Sequence, residues 1–367
     1  VVIRPYIVDV PQQRLDWIAR RVADAHIGYA PDDDGVDWQY GTSARYLAEF
    51  RAYWRDNYDW QAAQARFNSL PQFLVEIEGI DLHFYHLCAS GDRKGYPIIL
   101  THGWPGSVFE FLDVIPLLAA RGFDVIVPSL PGYGFSGRPC RPIGASDVAR
   151  LWRALMVDHL GYTRFGAQGG DWGASITTAL AEHHADVVDA FHLNFLFMRA
   201  KGALSPEVVE WQNTARKRFA GNGAYSMQMQ TRPQTIGLAL ADSPIGYASW
   251  VLEKYRAWSD CGGNIEASFT KEQLITSIMT YLVSDNVQAS MWLYNSLNSA
   301  KPGADRITVP MGFAAFPGET PPPPRSLAET RYNIVHWTVM PRGGHFAAWE
   351  EPELFVEDVT AFFAGHR

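Results

Sequence analysis

Cysteine is scarce in this sequence: Cys88, Cys140 and Cys261 are the only three in 367 residues, widely spaced and odd in number. No CxxC or Cys/His spacing is present, so neither a disulfide framework nor a zinc site is expected. All three read as reduced, small, buried apolar residues of a cytoplasmic protein. No run of about 18 or more apolar residues occurs, which leaves nothing to span a membrane. There is no signal-peptide pattern either, although the numbering opens at Val1 rather than Met. Basic residues are in deficit, 31 Lys and Arg against 39 Asp and Glu, for a net charge of −8. With no Lys/Arg cluster, that balance excludes a nucleic-acid partner. The glycine-rich loop 129–136 lacks GxGxxG and the Walker lysine, so it is no phosphate cradle. No internal repeat is found.

Apolar and aromatic residues are plentiful. Hydrophobic content of 47% and aromatic content of 13%, with 13 Trp, can fill a large core and still line a surface. The length suits one large α/β domain with an insertion. Residues 1–95 read as helices (14–25, 42–54 and 60–67) followed by a hairpin in which Phe73, Val75 and Ile77 alternate, Gly79 turns, and Leu82, Phe84 and His86 continue. His83 and His86 read as strand residues rather than ligands. From 96 to 197 strands at 97–101, 123–127, 164–167 and 187–195 alternate with helices, one running to Ala120, one at 145–159 and one at 174–185. Such alternation implies a mostly parallel sheet covered on both faces. Residues 198–300 break the pattern, being helical and rich in Trp and Tyr, and read as a lid over the carboxyl ends of the strands. The alternation resumes over 301–367, with strands at 307–316 and 334–339 and a last helix at 352–363. Pro321 to Pro324 form a polyproline II tract, read as a rigid connection.

The stretch Gln168-Gly169-Gly170-Asp171-Trp172-Gly173-Ala174 lies between a strand and a helix and resembles the nucleophile elbow of α/β-hydrolases, with aspartate in place of serine. A turn that sharp strains its central residue, so its neighbours must be small, as Gly169, Gly170 and Gly173 are. Asp171 could instead merely cap the helix. The chain order argues otherwise. An elbow acid, then an acid after a late strand (Glu319), then a histidine before the last helix (His345) is the order of nucleophile, acid and histidine in that fold. Asp305 and Glu329 are the alternatives to Glu319. His102 reads as shaping its loop, and Asp242 and Asp285 as structural.

Further stretches make the likeness specific. Tyr53-Trp54-Arg55 to Trp60, Leu70-Pro71-Gln72-Phe73, His102-Gly103-Trp104-Pro105-Gly106-Ser107, Asp242-Ser243-Pro244-Ile245-Gly246, Gly312-Phe313 to Phe316-Pro317 and Arg342-Gly343-Gly344-His345-Phe346-Ala347-Ala348 join the elbow. Together they resemble the epoxide hydrolases of the microsomal and juvenile-hormone type over nearly the whole chain. The resemblance implies an α/β-hydrolase fold and a reaction that opens an epoxide to a vicinal diol, with the epoxide and water as partners, no organic cofactor and no metal. It also implies Asp171 as nucleophile, His345 as general base and Glu319 as the acid that orients it. Tyr225 and Tyr294 match the lid pair that polarises the epoxide oxygen, and the backbone N–H groups of Trp104 and Trp172 match the oxyanion hole. A homodimer stays open. Two departures stand out: no counterpart of the membrane anchor of mammalian members lies within these residues, and the loop after Glu319 is unusually rich in proline.

The chemistry fits those residue types. A carboxylate displaces the ring oxygen from a saturated carbon and forms an alkyl ester, whereas serine suits acyl transfer. A haloalkane dehalogenase shares an aspartate elbow followed by tryptophan, but would hold halide on indole N–H groups and needs no lid tyrosines. A hydrolase-fold binding protein would show a broken triad. The aromatic lid implies a hydrophobic or aryl epoxide, and leaves xenobiotic detoxification and biosynthesis equally open.

Overall fold

A computed structural model describes residues 2–90, 94–198, 200, 204–299, 303 and 306–366. Nine strands form one sheet: β1 (Arg4–Pro5), β2 (Gln72–Ile77), β3 (Ile80–Leu87), β4 (Tyr96–Thr101), β5 (Phe123–Pro128), β6 (Phe165–Gly169), β7 (Val188–Leu193), β8 (Ile307–Ala315) and β9 (Tyr332–Val339). Their order is β1-β2-β3-β5-β4-β6-β7-β8-β9. The six strands from β5 to β9 pair in parallel, and β1 to β3 add an antiparallel edge.

The parallel part reads as unbroken apolar runs because helices cover both faces. Every residue of β5 is buried, as are Ile98 to Thr101 of β4. The antiparallel edge alternates instead: Val75 and Ile77 point into the core and Glu76 between them is exposed. A two-residue turn, Glu78-Gly79, joins β2 to β3 with both residues at positive φ (53° and 77°), the twist that a tight hairpin demands.

Element boundaries shift at points with a local cause. The apolar segment before Ala120 is not one helix but a 3-10 turn, Val108–Phe111, and a helix, Val114–Ala120. Ser107 and Glu110 close a capping box around the first turn. The helix expected at 145–159 is α-helical over Ala145–Arg153 and widens to π geometry over Ala154–His159. The two-residue strand that starts the sheet at Arg4–Pro5 left no periodicity to read. The cysteines need a correction. All three are free, but Cys88 and Cys140 are exposed and only Cys261 is buried. Cys88 follows the last residue of β3 and Cys140 lies in the loop before Ala145, so both sit outside the layers that cover a strand or helix residue.

Between β7 and β8 the chain forms helices Pro206–Asn222, Ala224–Thr231, Pro233–Asp242, Pro244–Trp258 and Lys271–Val283, with short turns to Asn298. The N-terminal helices Gln12–Ala23 and Ala44–Asn57 pack on Pro244–Trp258 and Lys271–Val283, bracing this lid from outside. Asp242 and Asp285 take part in that bracing: Arg21 pairs with Asp242, while Arg14 and Arg138 both reach Asp285. Among the described residues, no helix is long and apolar enough to cross a membrane.

His83 and His86 are strand residues of β3, and His83 is fully buried. Its ring nitrogens bond Ser129 Oγ and Gln72 Oε1, both at 2.9 Å. Burial, with help from nearby His102, pushes this imidazole down to about 3. The folded form therefore binds a proton less readily than the unfolded chain, and stability from neutral His83 is lost as pH falls below the unfolded value. The stability advantage of the native protein over a His83→Gln variant should thus narrow from about pH 6.5 downward, by up to ~1.4 kcal/mol per pH unit. Urea melts of both proteins between pH 7 and pH 4.5 measure it.

Candidate active site

β6 ends at Gly169, Gly170 caps the next helix, and Asp171 is the first residue of that helix, Asp171–His183. Asp171 sits at φ 50°, in left-handed backbone that a non-glycine residue rarely adopts. Two close approaches hold it there. A Cβ on Gly173 would lie 1.9 Å from the Thr101 carbonyl oxygen, so only glycine lets the helix start against the end of β4. A Cβ on Gly103 would lie 2.0 Å from Asp171 Oδ1. The first helical hydrogen bond runs from the Ala174 N–H to the Gly170 carbonyl. The Trp172 N–H therefore has no carbonyl of its own helix to bind and opens toward the carboxylate end of the helix. From the facing loop the Trp104 N–H donates to Asp171 Oδ1 at 2.7 Å.

His345 follows β9 on the loop that leads into Ala347–Glu350, and Glu319 follows β8. Both side chains are almost fully buried. His345 Nδ1 lies 2.5 Å from Glu319 Oε2, and Nε2 lies 3.4 Å from Asp171 Oδ2. Burial alone would depress this imidazole, but the Glu319 and Asp171 carboxylates on either side overcome it and hold His345 well above its ordinary value. Glu329 is exposed and pairs with Arg325 on its own helical turn; Asp305 lies outside the described residues. His102 is buried between the Gly103 carbonyl and the Leu130 N–H, and burial drives it down to about 4, a neutral loop brace.

Above the carboxylate the lid supplies an aromatic chamber. Tyr225 stacks on Trp104 (centroids 5.4 Å apart, 11° between planes), and Tyr294 meets Trp104, Trp172 and Tyr225 edge-on. Trp258 closes the side and contacts the His345 ring at 4.9 Å. Burial raises both phenols, Asp171 adding to the rise at each. Both therefore hold their protons at neutral pH and can donate them. Among the described residues, no group of three or more His, Cys, Asp or Glu side chains could hold a metal ion.

The structure thus brings Asp171, Glu319, His345, Tyr225, Tyr294 and the backbone of Trp104 and Trp172 to one place. It adds groups that no motif signalled. Arg218, on helix Pro206–Asn222, donates to the carbonyls of Gly318 and Glu319, each at 2.9 Å, and Trp211 on the same helix donates to the Pro321 carbonyl at 3.0 Å. The lid therefore grips the loop that carries the acid, and the proline tract is part of what it grips. Glu350 accepts N–H groups of Asp260 (2.7 Å) and Phe346 (3.0 Å), tying the histidine loop to the lid. Glu110 faces the same cavity as Asp171 and His345. Partners this far apart in sequence leave no spacing to read.

Comparison with known proteins agrees with this geometry. Residues 3–111 match the family model "Epoxide hydrolase N terminus" and residues 96–222 match "alpha/beta hydrolase fold". The chain is 33% identical to epoxide hydrolase 1 of Oryctolagus cuniculus, over 98% of this chain and 88% of the relative. It is 33% identical to juvenile hormone epoxide hydrolase 2 of Ctenocephalides felis, over 97% and 84%. The solved structure of Aspergillus niger epoxide hydrolase superposes with a TM-score of 0.90 at 32% identity, covering 100% of this chain and 97% of that one.

Replacing Arg218 by Met removes two hydrogen bonds from the acid's loop. At roughly 0.5–1.5 kcal/mol net for each bond, the variant should lose about 1–3 kcal/mol of stability. As Glu319 loosens, the His345 imidazole should titrate at lower pH, because that carboxylate is the main support of its protonated form. NMR of the imidazole protons reports both the direction and, in Arg218→Lys, a partial return.

Proposed function

The chain belongs to the epoxide hydrolase family, and from that premise we propose that it opens hydrophobic or aryl epoxides to vicinal diols through a covalent ester on Asp171. The observation that carries the reading is the unbroken line Glu319–His345–Asp171, placed beneath two protonated phenols.

In the first step the Asp171 oxygen not held by the Trp104 N–H attacks an epoxide carbon. The C–O bond of the ring breaks toward Tyr225 and Tyr294, and a phenol proton goes to the departing alkoxide. In the second step His345 takes a proton from water as the water oxygen adds to the Asp171 carboxyl carbon. The oxyanion forms where Trp104 N already holds Oδ1, with the Trp172 N–H as the second donor. Collapse releases the diol and restores the carboxylate.

The charge arrangement makes His345 change roles. In the free enzyme it lies between two carboxylates and is held protonated. Esterification removes the charge on Asp171, so one support for the imidazolium disappears; the ring gives up its proton, which makes good the one the phenol lost to the alkoxide, and the neutral imidazole is then available as a base. The chamber of Trp104, Trp172, Trp258, Tyr225 and Tyr294 supports an apolar or aryl substituent on the epoxide. Two exposed free thiols, Cys88 and Cys140, fit a reducing compartment, the cytoplasm.

Four measurements test the reading. His345→Gln, mixed with styrene oxide, should stop at the ester, so the peptide holding Asp171 gains the mass of one epoxide. Native enzyme in a single turnover in heavy-oxygen water should carry label into Asp171; diol without label sinks the covalent scheme. Tyr225→Phe and Tyr294→Phe should each slow ester formation, by roughly 100-fold within the range for a lost proton donor, while leaving ester hydrolysis near its native rate. For Glu319→Gln, the pH midpoint of ester hydrolysis should move down, because Glu319 supports the protonated imidazole. Its ceiling should fall as well, since the ring loses its orienting partner.

A further inference from the structure

The water that hydrolyses the ester needs a place to stand, and the fold contains one. A cavity of about 20 Å³ lies against Asp171 and His345, where a single water requires on the order of 10–15 Å³. Its walls are core residues, among them Gly103, Glu110, Gly170 and Asn194, and no described lid residue lines it. Neither Tyr225 nor Tyr294 is part of its wall, so the cavity meets Asp171 apart from the two phenols. An alkyl group bound as ester in the aromatic chamber leaves it free.

An attacking water must give both of its protons to acceptors, so that a lone pair on oxygen is left for the carboxyl carbon. His345 Nε2 is one acceptor. The other polar side chains in the wall are engaged elsewhere. Thr101 Oγ1 accepts from the Trp152 indole, and His102 is bonded through both ring nitrogens. Asn194 Oδ1 accepts from Gln168. Glu110 differs: Oε1 accepts the Ser107 N–H at 2.9 Å, and Oε2 has no such donor among the described hydrogen bonds. Its carboxyl also sits tight against Gly106, where a Cβ would come within 1.5 Å of Oε1. The side chain is fixed in place by its backbone bond and by that close approach.

Resting on the covalent mechanism set out above, we propose that Glu110 is a second acceptor for the hydrolytic water, holding it between Asp171 and His345 for attack on the ester. In the step, one water proton passes to His345 Nε2, the other stays hydrogen-bonded to Glu110, and the oxygen bonds to the Asp171 carboxyl carbon. When the tetrahedral adduct collapses, the bond between the Asp171 carboxyl carbon and the ester oxygen breaks; that oxygen leaves with the substrate as a diol hydroxyl, taking the proton from His345, and the regenerated Asp171 carboxyl passes its remaining proton back to the imidazole. Nothing is oxidised or reduced, and one water is consumed per diol. Burial pushes the Glu110 carboxyl up to about 8, His345 opposing the rise and Asp171 adding to it. The role needs Oε2 free of a proton, with Oε1 kept for the Ser107 N–H.

Glu110→Gln tests this with the backbone bond to Ser107 kept. Its amide places an N–H donor where the second acceptor stood. Ester formation, followed by stopped flow with styrene oxide in excess, should stay within about threefold of native. Ester hydrolysis should fall at least tenfold, so the ester accumulates, kcat and KM drop together, and kcat/KM holds. Glu110→Asp, which restores a carboxyl, should recover part of the hydrolysis rate. Native hydrolysis in Glu110→Gln overturns the proposal, and so does a parallel fall in both steps with no accumulated ester. If His345→Gln traps no ester, the covalent reading fails first and takes this inference with it; an ester trapped there but turned over normally by Glu110→Gln removes only Glu110.

Discussion

A carboxylate in left-handed backbone, wedged between the end of β6 and the start of a helix, is the constraint on which the site depends. Such a conformation costs on the order of 1–3 kcal/mol and persists only where the surroundings over-determine it. Here they do. Gly173 lets the helix begin against Thr101, Gly103 leaves room for Oδ1, and the Trp104 N–H fixes that oxygen at 2.7 Å. The strain exposes the carboxylate at the carboxyl end of the sheet, above the positive end of a helix dipole. A relaxed helix cap would have turned the same side chain back toward its own backbone.

The lid belongs to this constraint as much as the sheet does. Helix Pro244–Trp258 ends with the Trp258 carbonyl accepting the His345 N–H at 2.9 Å, and Gly344 has no space for a side chain against that same turn. Tyr255 on the helix donates to the Pro105 carbonyl at 2.9 Å, and Tyr281 to the Gly106 carbonyl, so the loop that presents the Trp104 N–H hangs from the lid as well. Asp260 completes the clasp through Gly343 N and Glu350. With Arg218 on the loop of Glu319, the His345 ring, the Glu319 carboxyl and the Trp104 N–H all take their position partly from an element inserted between β7 and β8. Closing the chamber and setting the distances between these groups are one act of packing.

Burial then decides the charges. Carboxyl groups in this fold shift in opposite directions according to what surrounds them. Glu110 and Glu350 are raised, to about 8 and about 7, first by burial. Asp358 is lowered, because His192 and His336 hydrogen-bond its two oxygens and overcome the same burial. His345 shows the competition most directly: desolvation favours the neutral ring, two carboxylates favour the cation, and the carboxylates win.

The fold class was legible in the sequence because parallel strands buried on both faces must be written as continuous apolar runs, and an inserted helical lid interrupts them. The elbow was legible too, since its glycines answer a steric demand local to seven residues, and Asp171, Glu319 and His345 followed from chain order. Exposure of Cys88 and Cys140 was not, because burial of a small residue depends on which layer covers it. Nor were Arg218, Glu350 and Glu110. Arg218 and Glu350 bind partners on distant segments, and Glu110 meets Asp171 and His345 only across the cavity they line; no periodicity records such a meeting. The sequence by itself determined which chemical groups this protein owns and in which order they occur, because backbone strain and strand burial are paid for locally in residue type. Only the tertiary structure decided which of those groups share one buried cavity, because distance and desolvation are properties of packed layers.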